Sequence, residues 1–593
     1  MTRRTVRALT APAAPPAAVD ARTADDLVEA LTGLREALGE ARFPLPVPSA
    51  GPAGTATARI IRQLDDYLLP RLARPDAPLL VAVGGPTGAG KSTLINSVVR
   101  APVTPSGVLR PTTMAPVLVS HPADSTWFAE GRLLPGLPRT TGLTGTAGTL
   151  RLVSAPGMIP GLALLDTPDL DSVVAANRDA AEQLLAAADL WLFVTTAARY
   201  GDAVPWEVLR TAGERGTVLA MVLDRVPPGA ETEIAEHLDA LLERSGLTVA
   251  RRFVLPETSV DGQGLLAERL VDPVCAWLAE LAADAGKRSR VVRQTVHGAV
   301  AALAPALEGL AAAADDQVAA ADALEEGVRA AWQAALTAVD RSASDGTLLR
   351  GEALTRWQEF VGSGQLVRAL QNHLGRLRDR VGAALSRQQT PGRPLRDALV
   401  AGLITVVTSA EADAEDQVRA AWRGQPDLLA AVPPAEDASV GAERLVRLWQ
   451  RSVQDLVRRD LARRRRSAPP QRVAATSLLV MIAVFAARSF APTPAEMAVG
   501  GDLGGGDRAL VDRVFGDRAV RDLARQARVD LGRRMRELFD SRLGRFLATL
   551  EAAAVPAGAP DRLRSASRAT AAALAPDDPG SEPMARDDAE GAA

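Results

Sequence analysis

The chain has 593 residues, which is too many for one hydrophobic core, so we expect two or three domains. Its formal net charge of −3 argues against a protein whose main partner is nucleic acid. The single cysteine, Cys275, excludes an internal disulfide and a cysteine metal cluster, and it fits a reducing cytoplasm. No run reaches the roughly 20 apolar residues of a membrane-spanning helix. We therefore expect a cytoplasmic protein, either soluble or peripheral at the inner face of the cell membrane.

Residues 1–78 combine a start that is rich in Ala and Pro with two helical patterns. We predict that residues 1–55 are mostly disordered apart from one helix at 23–43, where leucines recur at three- and four-residue spacing. Residues 56–78 are predicted to form a lead-in helix that precedes the next domain.

The stretch 79–99, with the sequence LLVAVGGPTGAGKSTLINSVV, carries the most specific motif in the chain. An apolar strand at 79–83 leads into eight residues that fit the P-loop pattern G-x-x-x-x-G-K-[ST], and a helix follows. These residues are Gly85, Pro86, Thr87, Gly88, Ala89, Gly90, Lys91 and Ser92. Such glycines let the backbone wrap around phosphates, which the loop N–H groups and the helix dipole attract.

Three side chains of this stretch have predicted roles. The Lys91 ammonium is expected to reach the β- and γ-phosphates, the Ser92 hydroxyl to bind Mg²⁺, and Thr93 to touch the α-phosphate. Lys91 and Lys287 are the only lysines, and every other side chain that is cationic at pH 7 is an arginine. We infer that position 91 requires a compact ammonium, because Arg is not equivalent to Lys in a tight phosphate cradle.

Residues 79–282 are predicted to form the nucleotide-binding domain. Helical patterns alternate there with six predicted strands, at 79–83, 114–120, 161–165, 190–195, 217–223 and 252–255. This alternation predicts an α/β fold, a mostly parallel sheet with helices on both faces, that binds ligands at the carboxyl ends of its strands. The P-loop follows the first strand and is therefore expected at that edge.

Two further segments contain candidate metal ligands. Asp166 ends the third predicted strand, where a carboxylate can hold Mg²⁺ through water. Thr113 lies between the P-loop helix and the second strand, where a threonine can ligate Mg²⁺ once the γ-phosphate orders the loop, and Thr112 is the fallback. The predicted catalytic set is Lys91, Thr113 and Asp166, and the predicted metal set is Ser92, Thr113 and Asp166.

The order of the segments GPTGAGKS, RPTT and LLDTPD resembles the G1, G2 and G3 boxes of translation-factor-type GTPases, the Era-like and bacterial dynamin-like families in particular. RPTTMAP is similar to the dynamin switch I pattern. The gap of roughly 75 residues from Lys91 to Asp166 is closer to dynamin-like domains than to Ras-like ones. The resemblance implies binding and hydrolysis of GTP with Mg²⁺, and a homodimer or a paralogous GTPase as partner.

The G3 box departs from the family pattern D-x-x-G, in which the glycine N–H contacts the γ-phosphate. Asp169 stands at that position. Either its backbone N–H still serves the phosphate with the side chain turned away, or this switch is weakened. No catalytic base is evident among the four scattered histidines, and in this reaction class catalysis is mostly positioning and charge stabilisation.

The G4 box, [NT]-K-x-D in the family, also departs, because the sequence here is Asp224-Arg225-Val226-Pro227. Arg225 resembles the lysine that covers the base, whereas Pro227 cannot read guanine, which leaves Asp224 as the candidate. The G5 candidates are Thr258 and Ser259, which follow a predicted strand. Guanine specificity is therefore implied by the resemblance and not by these residues.

From residue 283 the chain is predicted to form a long all-α domain, 283–554, followed by a disordered tail at 555–593. Its most apolar segment is 473–487, VAATSLLVMIAVFAA. A helix that is apolar all round is buried either in a large core or in lipid. The arginines at 463–466 suit anionic headgroups. Fifteen helical residues span roughly 22 Å, which is short for a bilayer, so a dip into one leaflet and a central core helix both stay open.

Together these patterns predict a GTP-binding protein that hydrolyses GTP with Mg²⁺ and couples hydrolysis to movement of the helical domain, for membrane remodelling or partner binding. The alternatives are a P-loop ATPase with a degenerate base site and a low-turnover, nucleotide-dependent interaction scaffold. An anionic membrane surface is a candidate partner, and no nucleic acid is expected.

Overall fold

The computed structural model describes residues 21–74, 77–105, 115–131, 133–142, 148–171, 175–345, 348, 352–363, 392–464, 470–485 and 518–575. By its internal contacts the chain divides into two compact units. Among the described residues, unit 1 comprises those up to Phe43, those from Pro48 to Asp316, and those from Pro556 onward. Unit 2 comprises Pro44–Val47 and Gln317–Val555. The boundary at 316/317 thus lies beyond the predicted boundary at 282/283.

Within the described residues, unit 1 contains a sheet of eight strands: β1 Leu79–Gly84, β2 Val117–Ser120, β3 Arg139–Thr140, β4 Leu150–Ser154, β5 Leu162–Asp166, β6 Leu190–Thr196, β7 Val218–Val226 and β8 Arg251–Pro256. Their order across the sheet is β3-β4-β2-β5-β1-β6-β7-β8. All neighbours run parallel except β2 and β5. The central strands β1, β5 and β6 are buried along their whole length, as expected for parallel strands that helices cover on both faces.

The described helices are, in chain order, α1 Ala21–Glu40, α2 Ala50–Gln63, α3 Leu69–Ala73, α4 Lys91–Val99, α5 Ser125–Ala129, α6 Ala175–Ala186, α7 Ala203–Glu214, α8 Glu231–Arg244, α9 Glu268–Ala283, α10 Ala285–Ala301, α11 Ala304–Ser344, α12 Glu352–Gly362, α13 Arg393–Ala421, α14 Pro426–Ala431, α15 Ala438–Arg463, α16 Pro470–Phe485, α17 Arg518–Ala552 and α18 Ala559–Leu574. A π-helical turn, Leu64–Leu68, joins α2 to α3. The predicted fold class, an α/β domain with a mostly parallel sheet followed by a long helical region, is confirmed.

The structure contains several elements that the sequence patterns do not predict. Strands β3 and β4 extend the sheet beside β2. Helix α2 begins at Ala50, so it crosses the predicted division at 55/56. The glycines and the proline at 51–54, which suggest a break, lie instead in the first turn of α2, where a proline costs no hydrogen bond.

The tail at 555–593, predicted to be disordered, contains helix α18. This helix packs against α1, and its Leu563 joins the buried cluster that includes Leu31 and Leu34. Leu563 and Leu574 are its only large apolar side chains, so the stretch lacks the repeated leucines that predict α1. The helix that packs on α18, α1, lies more than 500 residues earlier in the chain.

A buried ion pair ties the lead-in helices to the sheet. Both side chains of the pair, Arg71 and Asp189, are fully buried, and Arg71 Nε donates to Asp189 Oδ1 at 2.7 Å. The same carboxylate accepts from the Tyr67 hydroxyl at 3.0 Å and from the Leu80 N–H at 2.7 Å. Asp189 precedes β6 and Leu80 belongs to β1, so this cluster fixes the amino ends of two central strands.

Unit 2 is a helical assembly with its own apolar core. Three tryptophans pack on phenylalanines, at ring-centroid distances of 5.3 Å (Trp332–Phe539), 5.6 Å (Trp422–Phe546) and 5.7 Å (Trp449–Phe485). Helix α16 supplies much of this core, and its side chains from Leu478 to Ile482 are buried. The described part of the segment 473–487 is therefore a core helix, whereas residues 486 and 487 lie outside the described residues.

One helical stretch, Ala285–Ser344, is long and apolar enough to cross a membrane by length and composition alone, contrary to the expectation from the sequence. Of its most apolar 18 residues, 44% are buried. A core helix of a soluble protein passes the same test, so the finding is weak evidence for a membrane span.

The Arg71–Asp189 pair generates a test of how unit 1 is held together. Replacing Arg71 by Met leaves a buried carboxylate without its cation, and we expect the free energy of unfolding to fall by about 3–5 kcal/mol in urea denaturation. The control Arg35→Met removes an ion pair with Asp65 whose side chains are 46% and 31% exposed, and it is expected to cost at most about 1 kcal/mol. Equal losses for the two variants would contradict the anchoring role of Arg71.

Candidate nucleotide-binding site

The P-loop occupies the edge of the sheet where the parallel strands end. Strand β1 ends at Gly84 and helix α4 begins at Lys91, which leaves residues 85–90 as the loop. In the strand register Val83 pairs with Asp166, and Thr196 pairs with Asp224. Both predicted acidic residues therefore lie at the same edge as the loop.

Two glycines allow the loop to approach the neighbouring strands. A Cβ at Gly85 would lie 2.0 Å from the Val194 carbonyl oxygen, and a Cβ at Gly90 would lie 2.7 Å from Asp224 Oδ2. Gly90 also has a φ of +100°, which L side chains rarely adopt. The loop is thus packed closely against β6 and β7: Gly85 is required by its contact with backbone, and Gly90 is required by its conformation.

The Lys91 side chain is 6% exposed and curls back over the loop. Its ammonium donates to the carbonyl oxygens of Gly85 at 2.9 Å and Pro86 at 3.1 Å, and to Asp169 Oδ1 at 2.5 Å. An ammonium has three protons, so each proton has an acceptor in this arrangement. The structure therefore brings Asp169, the residue that departs from the G3 pattern, into direct contact with the P-loop lysine.

Ser92 and Asp166 meet at the start of α4. The Ser92 hydroxyl donates to Asp166 Oδ2 at 2.7 Å. The other oxygen, Oδ1, is buried and accepts no hydrogen bond from any residue that the structure describes. Burial raises the pKa of Asp166 to about 6, against the hydrogen bond from Ser92 and the charge of Lys91, which lower it.

A hydroxyl oxygen and an unpartnered carboxylate oxygen are the hard donors that Mg²⁺ prefers. Such sites commonly use one or two carboxylates, with phosphate oxygens and water completing the octahedron. No group of three or more His, Cys, Asp or Glu side chains able to hold a metal occurs in the described part of the chain, so a metal cage made of protein side chains alone is not seen there. Ser92 and Asp166 fit a Mg²⁺ ion that arrives with a nucleotide.

Thr113, the third predicted metal ligand, and its fallback Thr112 lie outside the described residues. The chain leading to them is anchored at Thr104, which is buried. Thr104 N–H donates to Asn96 Oδ1 at 2.8 Å, and Asn96 Nδ2 donates to the Thr104 carbonyl at 2.9 Å. The Thr104 hydroxyl also donates to the Ser92 carbonyl at 3.3 Å. The sequence analysis missed Thr104, although it lies only a few residues beyond α4.

Asp171 and Arg199 form a second contact with the loop that the sequence analysis missed. Asp171 Oδ1 accepts from the Thr87 N–H at 2.7 Å and from the Thr87 hydroxyl at 2.5 Å. The Arg199 guanidinium donates to Asp171 Oδ2 at 2.7 Å and to the Thr87 carbonyl at 2.8 Å. Partial burial disfavours the carboxylate, but the hydrogen bonds from Thr87 and Arg199 outweigh it and hold the pKa of Asp171 at about 2.

The candidate base-binding residues lie at the end of β7 and after β8. Arg225 has a φ of +52° and donates from Nη2 to the Gly88 carbonyl at 2.9 Å, so it reaches over the P-loop. Burial raises the pKa of Asp224, whose Oδ2 faces Gly90. Thr258 and Ser259 are exposed.

The loop after β8 is also held against α4. Leu266 N–H donates to Ser97 Oγ at 2.9 Å, and Arg100 donates to the Leu266 carbonyl at 2.8 Å. Of the remaining loop residues, Pro86 and Ala89 are buried, Gly88 is exposed, and Thr93 is half-buried in the first turn of α4.

No protein-family model matches the chain, and no curated protein matches its sequence. Among solved structures, two chains of an oligomerised bacterial dynamin pair, described as providing a mechanism for long-range sensing and tethering of membranes, are each 11% identical to it. The first has a TM-score of 0.42 and the comparison covers 94% of this chain and 95% of that chain. For the second the TM-score is 0.40 and the coverage is 87% and 91%.

The LeoA bacterial dynamin GTPase from ETEC is 10% identical, with a TM-score of 0.23 and coverage of 93% of this chain and 98% of that chain. The predicted Era-like resemblance has no counterpart among these three structures. Identities and TM-scores of this size do not assign the chain to a family, and the function proposed below rests on the residues of the site.

The Asp171 contact predicts a pH-dependent stability. Because its pKa is about 2 in the folded chain and 3.8 ordinarily, the carboxylate contributes stability above about pH 4 that is lost as the pH falls through about 2. We expect Asp171→Asn to lower the free energy of unfolding by about 1–3 kcal/mol at pH 7 and by less at pH 3.

Denaturation of both proteins at the two pH values measures this difference. The control Asp202→Asn removes the other carboxylate bound to Arg199, which is 39% exposed, and is expected to have a smaller effect at pH 7. A loss for Asp171→Asn that is equally large at pH 3 would contradict the assigned role of the carboxylate.

Proposed function

We propose that the chain is a Mg²⁺-dependent nucleoside triphosphatase that uses GTP. The observation that carries the proposal is the Lys91–Ser92–Asp166 arrangement at the end of a buried parallel strand, in a loop where the Val194 carbonyl leaves no room for a Cβ at Gly85. The P-loop motif assigns the lysine to the phosphates and the hydroxyl to Mg²⁺, and a carboxylate at a strand end suits the same metal ion, which supports the proposal. The nucleotide domain at 79–282, the metal ligands Thr113 and Asp166 and the switch loops around Thr113 and Asp169 remain part of the proposal.

The residues of the chain act by position and charge. The loop amides and the α4 amino end bind the phosphates, and the Lys91 ammonium neutralises charge on the β- and γ-phosphate oxygens. Ser92 and Asp166 would hold Mg²⁺, which supplies further charge neutralisation at the same oxygens. A metal ion at Asp166 would also favour the carboxylate over the protonated form that its burial favours.

The first test compares the two lysines of the chain. Lys91→Ala removes the ammonium from the phosphate cradle, and we expect binding of a fluorescent GTP analogue with Mg²⁺ to weaken by at least about 100-fold. Lys287→Ala is the matched control, because Lys287 is 34% exposed and pairs with Glu280. Thermal melting curves should show that both variants are folded at the temperature of the binding assay. Undiminished binding by folded Lys91→Ala would overturn the site assignment.

The choice of guanine is supported by the dynamin-like resemblance and by Arg225, which reaches Gly88 as the base-covering residue of the motif would. A carboxylate at the base edge accepts from the donors of guanine, whereas adenine lacks the matching N1–H. We propose Asp224 for this role, because it is the acid at the end of β7.

Competition against bound fluorescent GTP tests this choice. Unlabelled GTP is expected to compete at a concentration at least about tenfold lower than ATP, and Asp224→Asn is expected to reduce that preference. Equal competition by ATP would favour the P-loop ATPase alternative. An unchanged preference in Asp224→Asn would contradict the role of Asp224 and leave guanine binding in place.

A low-turnover scaffold is a second candidate, and the Lys91–Asp169 contact favours it, because the lysine needed for hydrolysis is already occupied. In either case nucleotide binding would change the segment at 166–171 and act on the helical region, with a second copy, a paralogous GTPase or an anionic membrane surface as the proposed partner. Phosphate release measured with and without anionic liposomes distinguishes a stimulated enzyme from a scaffold.

A further inference from the structure

Two carboxylates that follow β5 lie on the P-loop. Asp169 Oδ1 is 2.5 Å from the Lys91 ammonium nitrogen, and Asp171 Oδ1 is 2.7 Å from the Thr87 amide nitrogen. We call residues 169–171 the acidic segment. It contacts the loop at its lysine and at one of its backbone N–H groups, so it lies where the loop meets its ligand.

These contacts use donors that a P-loop otherwise offers to phosphate. Two protons of the Lys91 ammonium are fixed by the carbonyl oxygens of Gly85 and Pro86. Only the third proton can reach a phosphate oxygen, and Asp169 holds it. The Asp169 carboxylate therefore takes the place that a phosphate oxygen occupies when a nucleotide binds.

Replacing the Asp169 carboxylate by a phosphate oxygen is less favourable for a nucleoside triphosphate than for a diphosphate, because the two ligands differ in charge. Both ligands compete for the ammonium proton, but a γ-phosphate adds negative charge next to the Asp169 carboxylate. Like charges a few ångströms apart repel strongly in a partly buried site. Asp169 is 34% exposed, so its side chain has room to turn into solvent when it is displaced.

The acidic segment is held in place by an ion pair with Arg199. Arg199 binds Asp171 at 2.7 Å, and its guanidinium also donates to the Thr87 carbonyl and to Asp202. Asp171 is 18% exposed. This anchor keeps Asp169 close to Lys91, so a ligand must displace the carboxylate from a held position.

We propose that Asp169 determines specificity for the number of phosphates in the nucleotide. By occupying Lys91, the Asp169 carboxylate disfavours binding of a nucleoside triphosphate relative to a diphosphate. When a triphosphate does bind, it displaces this carboxylate and frees residue 169 from the loop. The inference rests on the proposed function, because it concerns the same phosphate cradle. It assigns a role to the acid that stands in place of the G3 glycine.

The test measures the affinities of fluorescent GTP and GDP analogues for the full chain with Mg²⁺. Asp169→Asn keeps the shape and removes the charge, and Asp169→Gly removes the side chain. We expect both variants to bind GTP at least about tenfold more tightly than the wild type does, and to gain affinity for GDP by a factor that is at least about threefold smaller, because GDP lacks the charge of the γ-phosphate. The control Asp239→Asn removes an exposed ion-paired acid, bound to Arg252, and should change neither affinity.

The outcomes separate this inference from the proposed function. If the wild type binds nucleotide through Lys91 but the Asp169 variants change GTP and GDP affinity equally, or change neither, the inference fails and the function stands. If wild type and folded variants alike bind no nucleotide, both fail. If the wild type binds no GTP and Asp169→Asn or Asp169→Gly does, the inference is supported, because removal of the carboxylate has opened the cradle.

Discussion

The site is organised by the need of one buried ammonium for acceptors. Removing an ammonium from water costs several kcal/mol unless its protons are hydrogen-bonded. Lys91 is almost completely buried, and the Gly85 and Pro86 carbonyls can face it only if the loop turns tightly at its glycines. Two carbonyls leave one proton for an anion. The curvature of the loop and its contact with Asp169 both follow from this requirement, and under the proposed function a phosphate oxygen would meet the same need.

The strand that carries the loop is fixed at both of its ends. At the amino end, the buried Asp189 carboxylate accepts from Arg71, Tyr67 and the N–H of Leu80. At the carboxyl end, the close approach of Gly85 to Val194 joins the loop to β6. A short, apolar and fully buried strand cannot shift along its neighbours without breaking one of these contacts. Movements in unit 1 are therefore expected in the segments that follow the strands, and not in β1 itself.

The sequence predicted what local rules determine and missed what distant contacts determine. The P-loop and the strands of the central sheet were found because glycine spacing and apolar runs are short-range signals. Asp171 and Arg199 are 28 positions apart, and each acts on Thr87 in a third segment, so no spacing rule connects them. Their only signals were a second acid two residues beyond Asp169 and an arginine just after β6.

Helix α16 shows a different limit of sequence information. Its apolar composition fits both lipid and a protein core, and the contact of Phe485 with Trp449 is what identifies the core. Helix α18 has too few large apolar residues to stand out in an Ala- and Pro-rich tail, and its packing on α1 is what the sequence does not show. In both cases the deciding partner lies far away in the chain, and composition alone cannot reveal it.

The pairing of α1 with α18 has a consequence for synthesis on the ribosome. Helix α1 ends at Glu40, whereas α18 begins at Ala559, after the whole of unit 2. At roughly 5–20 residues per second, about 30–110 s pass between the synthesis of α1 and the synthesis of α18. Unit 1 is complete only when α18 is made, and unit 2 only shortly before, because the last long helix of unit 2, α17, ends at Ala552, shortly before α18 begins. The nascent chain therefore exposes, for most of its translation, the part of the apolar α1 face that α18 covers, and we expect chaperones at the ribosome exit to bind there.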